Sequence, residues 1–198
     1  MILILGSCNK KINPDNITDT VMLPKPTNVI LLIGDGMGLT QITAGMYQNN
    51  NFLNLEQFKN IGLHKSYSAD KLITDSAAGA TAFSCGVKTY NGAIGVDEDT
   101  VAIKTLLEMA EERNMPTGLV ATSTITHATP ASFIAHQPSR SMQEAIAAEF
   151  LNTEVDFFIG GGMKFFSARE TDDRNIIEEL EAKNYQIEDF INTELSDI

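Results

Sequence analysis

Uninterrupted apolar runs and helix-spaced apolar stripes take turns along this chain. "NVILLIG" at 28–34 is a run of β-branched and leucine residues closing on glycine, which predicts a strand buried on both faces of a parallel sheet. "TGLVATST" (117–124) and "VDFFIGGG" (155–162) repeat that pattern, and "GLHKSYSA" (62–69) alternates weakly enough to predict only a short strand. Between them lie helical stretches. Leu39 to Tyr47 is one, and 100–114 is another, with apolar residues at 103, 106, 107 and 110 and an end before Pro116. "SMQEAIAAEFLN" (141–152) and residues 175–184 complete the series, while the alanines after Ser76 favour a further helix. Strands alternating with helices predict an α/β fold, a doubly wound and mostly parallel sheet flanked by helices. In such sheets ligands gather beyond the carboxyl ends of the strands.

Composition narrows the function. The 198 residues are 43% apolar, enough for one domain with a real core. Lys plus Arg is 14 and Asp plus Glu is 26, so the formal charge of 14 − 26 = −12 opposes non-specific binding to nucleic acid. Phosphate chemistry on such a chain needs a local positive centre, such as a metal. No apolar run approaches the roughly 18 to 20 residues of a membrane-spanning helix. At the start, Leu5-Gly6-Ser7-Cys8 resembles a bacterial lipobox, although no basic segment precedes it. Two readings stay open there: residues 1–8 as the remnant of an exported lipoprotein signal with Cys8 as lipid site, or an ordinary apolar strand. The lipoprotein reading implies a periplasmic or outer-membrane-anchored protein. Residues 9–27, with three prolines, read as a linker, and 28–198 as the folded portion. Cys85 reads as a small buried residue.

Several strand ends deliver polar groups. Asp35 sits between Gly34 and Gly36 after the first apolar run, either as a helix cap or as a ligand-binding carboxylate. In "TDSAAGATAF" (74–83), Asp75 and Ser76 open the alanine-rich segment. Either residue can cap a tightly packed helix; equally, the Ser76 hydroxyl and the free amides of the first turn can share an oxyanion. None of the three histidines (64, 127, 136) has a spacing that declares a base for Ser76, so a nucleophilic serine would need a metal to lower its pKa. Beyond the apolar run at 117–124, His127 and Thr129 would project to one side of a locally extended chain, with Pro130 opening a helix. That pair is a capped turn or a ligand pair, imidazole suiting zinc and a hydroxyl suiting magnesium. Arg140 is a surface charge or a bidentate grip on phosphate oxygens.

In order, "NVILLIGDGMG", "TDSAAGATAFSCGVKTYNGAIGVD", "THATPASFIAHQPSR" and "VDFFIGGGMKFF" resemble the alkaline phosphatase family over about residues 27–166. The resemblance implies a phosphomonoesterase with two Zn2+ and one Mg2+ at the carboxyl edge of an α/β sheet, acting on phosphate monoesters, and implies a homodimer. It makes Ser76 the nucleophile of a phosphoserine intermediate and Arg140 the clamp on the non-transferred oxygens, with Asp75 positioning the arginine. It makes Asp35 and Thr129 metal ligands, and it places His127 where members carry either an aspartate on magnesium or a histidine acting through water.

One departure matters. The family's zinc ligands are mostly aspartates and histidines late in the chain, and here no histidine follows His136. The expectation is therefore the N-terminal part of an alkaline phosphatase, inactive as these 198 residues alone. The alternatives are a related metallo-phosphodiesterase or sulfatase, and a non-catalytic module that binds phosphate or a partner.

Overall fold

The computed structural model describes residues 28–189. The lipobox-like stretch with Cys8 and the linker at 9–27 lie outside the described residues. Contacts divide the chain into two units, the boundary falling after Gly34.

In the first unit, residues 28–34 carry no regular secondary structure, and Ile30 is 85% exposed. This corrects the expected first strand. A β-strand persists only where a neighbouring strand takes its N–H and C=O groups, and the sheet among the described residues contains only two other segments.

The second unit begins with α1 (Leu39–Gln48), as its periodicity predicts. A 3₁₀ turn follows at Asn54–Gln57. Residues 62–69 form no strand; of these only Ser68 is buried, and Ala69 makes a single backbone bond to the Thr89 carbonyl at 2.8 Å. The alternation at 62–69 again lacked a partner ladder.

The helix α2 (Ser76–Cys85) starts at the predicted serine. Asp75 caps it, and Gly86 ends it at φ 73°, the left-handed conformation that a side chain would resist. Next, α3 (Leu106–Glu111) begins later than the stripe at 100–114 suggests. The reason is a capping box at Thr105 and Glu108, preceded by a turn in which the Asp97 carboxylate accepts from the N–H groups of Asp99 and Val101.

Strands β1 (Gly118–Thr124) and β2 (Phe157–Gly161) pair in parallel, Leu119 opposite Phe158 and Val120 opposite Ile159. Between them lie α4 (Ala128–Ala131) and α5 (Gln143–Glu149); α6 (Lys164–Ser167) and α7 (Ile176–Ala182) follow. The α/β expectation with a parallel sheet holds. One face of the sheet, through Leu119, Ala121 and Phe158, packs on a core of Ile146, Phe150, Val155, Phe166, Ile176 and Leu180. The Phe150 ring centre lies 4.6 Å from that of Phe158 and 5.5 Å from that of Phe166. Each such fully buried side chain stabilises the fold by about 1.5–3 kcal/mol.

Where α2 meets α4, small residues replace bulk. Ala77, Ala78 and Ala80 of α2 and Ala128 and Ala131 of α4 are buried, and buried hydroxyls stitch the two helices. Across the contact Thr81 Oγ1 donates to Ser132 Oγ at 3.3 Å and Ser132 Oγ lies 3.4 Å from the Ala77 carbonyl. Thr81 also reaches the Ala93 carbonyl at 3.2 Å and Ser132 the Ala128 carbonyl at 2.8 Å, so both buried hydroxyls have partners. The close approach draws the loop after β1 toward the start of α2. Gly95 is held just as tightly: with φ at 58°, a Cβ on it would lie 2.1 Å from the Ala135 carbonyl oxygen.

His136 closes this region. Its Nδ1 donates to the Gly95 carbonyl at 2.7 Å and its Nε2 to Glu108 Oε1 at 3.0 Å, so both ring nitrogens carry protons. Burial pulls its pKa down, but the Gly95 carbonyl and Glu108 outweigh that and leave it above 6.5. Burial pushes Glu108 up, and the Thr105 N–H and His136 outweigh that, leaving it below 4.5. A raised imidazolium contributes stability that is complete below about pH 6.5 and lost as pH rises through its folded value. A lowered carboxylate contributes stability that is complete above about pH 4.5 and lost as pH falls through its folded value. The pair therefore contributes most between these limits. Urea midpoints should fall as pH rises above 6.5, and His136→Gln should flatten that slope; an unchanged slope in the variant would assign the effect elsewhere.

Candidate functional site

The first turn of α2 offers free backbone amides because a helix has no partners for its leading N–H groups. Asp75 Oδ1 accepts one of them, from Ala78, at 3.0 Å. Its Oδ2 accepts from Arg140 Nη1 at 3.1 Å. Cap and arginine partner are thus one residue. The same Nη1 donates to Ser76 Oγ at 2.9 Å. The Arg140 side chain is 33% exposed and that of Asp75 27%, so their ion pair is wet and worth roughly 0.2–1 kcal/mol in stability. Its consequence is orientation: the N–H edge of the guanidinium is turned to Ser76.

Arg140 reaches that place because residues 137–140 pair with residues 92–94. Gln137 exchanges backbone bonds with Ile94 at 2.9 and 3.0 Å, and the Arg140 N–H donates to the Gly92 carbonyl at 2.7 Å. Arg140 Nη2 lies 3.2 Å from His127 Nε2. A guanidinium only donates, so Nε2 accepts and the neutral His127 ring carries its proton on Nδ1.

His127 caps α4, three residues past the carboxyl end of β1. The expectation that His127 and Thr129 share a locally extended chain is corrected: residues 128–131 are a helical turn, and Thr129 is its second residue. Pro130 fits that turn. Thr129 Oγ1 donates to Asp35 Oδ2 at 3.3 Å. Asp35 lies in a turn with Gly36 at φ 65°, and the cap of α1 is Gly38, so Asp35 is not a helix cap. The structure thus gathers the sequence candidates into two groups, Asp75, Ser76, Arg140 and His127 in one, Asp35 and Thr129 in the other. Neither of the remaining histidines hydrogen-bonds to Ser76: His136 serves Gly95 and Glu108, and His64 meets the edge of the Phe83 ring at 5.6 Å.

Sequence reasoning missed Asn91. Its Oδ1 accepts from the Asp75 N–H at 2.9 Å and its Nδ2 donates to the Ile73 carbonyl at 3.0 Å. In sequence it shows only as Asn91-Gly92, a turn signal.

As a test of metal fit, a carboxylate and a hydroxyl within hydrogen-bonding distance of each other, Asp35 and Thr129, are two hard oxygen donors of the kind magnesium takes. Zinc needs three or four nitrogen, sulfur or carboxylate donors at one point. No group of three His, Cys, Asp or Glu side chains that could hold a metal occurs among the described residues. These residues fit part of a magnesium site and do not fit a zinc pair.

Fold and site together define an α/β protein in which a serine hydroxyl and an arginine fork meet at a helix N-terminus, with a carboxylate and a hydroxyl paired at Asp35 and Thr129. The chain belongs to the alkaline phosphatase family, whose model matches residues 26–191. It is 42% identical to alkaline phosphatase 3 of Bacillus subtilis over 177 residues, covering 82% of this chain and 37% of that protein. With the alkaline phosphatase of Escherichia coli it shares 37% identity over 193 residues, covering 81% and 41%. The solved alkaline phosphatase of the Antarctic bacterium TAB5 superposes with a TM-score of 0.78 at 47% identity, covering 82% of this chain and 47% of that one. A histidine-to-aspartate variant of the TAB5 protein, with Mg bound, superposes at 0.77. The chain spans about two fifths of the length of these curated relatives.

Proposed function

We propose that this chain supplies the nucleophile and the phosphate clamp of a phosphomonoester hydrolase. The observation that carries the reading is Arg140 Nη1 at 2.9 Å from Ser76 Oγ, with Asp75 holding the same nitrogen. An arginine fixed beside a hydroxyl at a helix N-terminus places a phosphate so that its non-transferred oxygens meet the guanidinium and the α2 amides. Ser76 Oγ gives up its proton to solvent and attacks phosphorus as the ester P–O bond breaks, the alcohol oxygen departs with the bonding pair and takes up a proton from solvent, and phosphoserine forms. Water then attacks phosphorus and gives up a proton, the Oγ–P bond breaks, the serine oxygen takes up a proton to regenerate Ser76, and inorganic phosphate is released. The clamp matters most as charge spreads over the equatorial oxygens.

Zinc and magnesium, when bound, would lower the pKa of the hydroxyl and neutralise charge on the departing oxygen. Asp35 and Thr129 are the residues of this chain that would hold magnesium, two hard oxygen donors 3.3 Å apart. The Mg bound in a histidine-to-aspartate variant of a 47% identical relative supports magnesium as a metal of such proteins. His127, with Nε2 toward Arg140, is assigned to steadying the arginine. The described residues do not by themselves hold the zinc pair. For the same reason the 198-residue chain by itself should not turn over ester.

The test is turnover of p-nitrophenyl phosphate by the protein at its full natural length, loaded with zinc and magnesium, beside the same assay on residues 1–198. Chelator-sensitive hydrolysis by the first and none by the second is expected. No hydrolysis by the full-length protein would overturn the function, and chelator-sensitive hydrolysis by the 198 residues would overturn their incompetence.

A further inference from the structure

Ser76 and Arg140 are 64 residues apart in sequence, and one short segment, residues 90–94, touches the backbone on either side of their meeting point. We propose that Asn91 is a positioning residue that sets the spacing of Arg140 from Ser76; this rests on the roles given to those two residues above. On the serine side, the Asn91 amide group spans the backbone from Ile73 to Asp75, taking the Asp75 N–H at 2.9 Å and giving to the Ile73 carbonyl at 3.0 Å. The Asp75 N–H precedes the helix and has no helical partner, so Asn91 satisfies a group that α2 cannot. On the arginine side, the next residue, Gly92, accepts the Arg140 N–H at 2.7 Å, and Tyr90 Oη donates to the Pro138 carbonyl at 2.9 Å. The segment itself is anchored: the Asn91 N–H donates to Asp70 Oδ1 at 3.1 Å, an oxygen that buried Ser68 also reaches at 2.9 Å. Serine and arginine are therefore both referred to one brace. A planar group with a donor at one end and an acceptor at the other is what the two opposed backbone groups require, and among short side chains asparagine supplies it. Asn91 touches none of the reacting atoms, and it acts through the placement of Asp75.

The test is a double-mutant cycle in the full-length, metal-loaded protein, read both as kcat/KM for p-nitrophenyl phosphate and as affinity for inorganic phosphate by calorimetry. Asn91→Ala should lower both by about tenfold, and by less than about twofold when Arg140 is already alanine. Tyr90→Phe, which deletes one hydroxyl on the arginine side, should show a smaller loss, about threefold, with the same dependence on Arg140. Equal losses in both arginine backgrounds, or wild-type phosphate affinity in Asn91→Ala, would overturn the proposal. If Asn91→Ala does not fold, the Tyr90→Phe cycle decides by the same criterion. Should the parent bind phosphate without hydrolysing ester, the hydrolase reading fails while the affinity cycle still decides the role of Asn91; a parent that does neither overturns both.

Discussion

Ser76→Ala in the full-length protein is expected to lower turnover of p-nitrophenyl phosphate by on the order of 10⁴-fold or more, with little change in stability. The large effect follows because Ser76 Oγ is the hydroxyl that Arg140 addresses, and neither His64 nor His136 hydrogen-bonds to it or offers another route. The small stability effect follows from position. Ser76 is the first residue of α2, its cap is Asp75, and alanine suits a helix as well as serine does. The hydroxyl's partner is the Arg140 fork, which keeps Asp75 and His127 after the change. Rapid acid quench during turnover should recover phosphate on the peptide containing Ser76 and not on that of the variant. Full activity in the variant, or phosphate on another residue, would remove the nucleophile assignment.

Arg140→Ala should lower kcat/KM by about 10²–10³-fold and weaken inhibition by inorganic phosphate in parallel. Two things are lost together. The fork that faces Ser76 disappears, and Asp75 Oδ2 loses its partner, leaving a bare carboxylate beside the incoming anion. Arg140→Lys should recover little, because a single ammonium cannot serve Ser76, Asp75 and His127 from the directions that a planar fork reaches. The melting temperature should hardly move, since the ion pair is partly solvated. Unchanged phosphate inhibition in Arg140→Ala would show that the clamp is not this residue.

Much of this site is legible in the chain before it folds. The helix start at Ser76 follows from Asp75 and the alanines behind it, because a cap and helix propensity act over one turn. The apolar runs that become β1 and β2 are equally local signals. Residues 28–34 carry as strong a signal yet form no strand among the described residues, because a ladder needs a neighbour that an apolar run cannot specify. The start of α3 departs from the pattern for a smaller reason: the apolar stripe runs back to Ile103, while the capping box at Thr105 and Glu108 overrules it. Asn91 was illegible because its hydrogen bond goes to a backbone N–H 16 residues away.

The residue types of the site, the capped helix that carries Ser76 and the family itself were determined by sequence alone, since each rests on neighbours in the chain. Only the tertiary structure decided that the alanines of α2 let α4 come close, that His127 faces Arg140 rather than lying beside Thr129 on an extended chain, and that the arginine meets the serine. Those outcomes depend on the backbone pairing of residues 92–94 with 137–140 and on small-residue packing between helices. Both are contacts between distant segments, whose energies exist only once the chain has closed on itself.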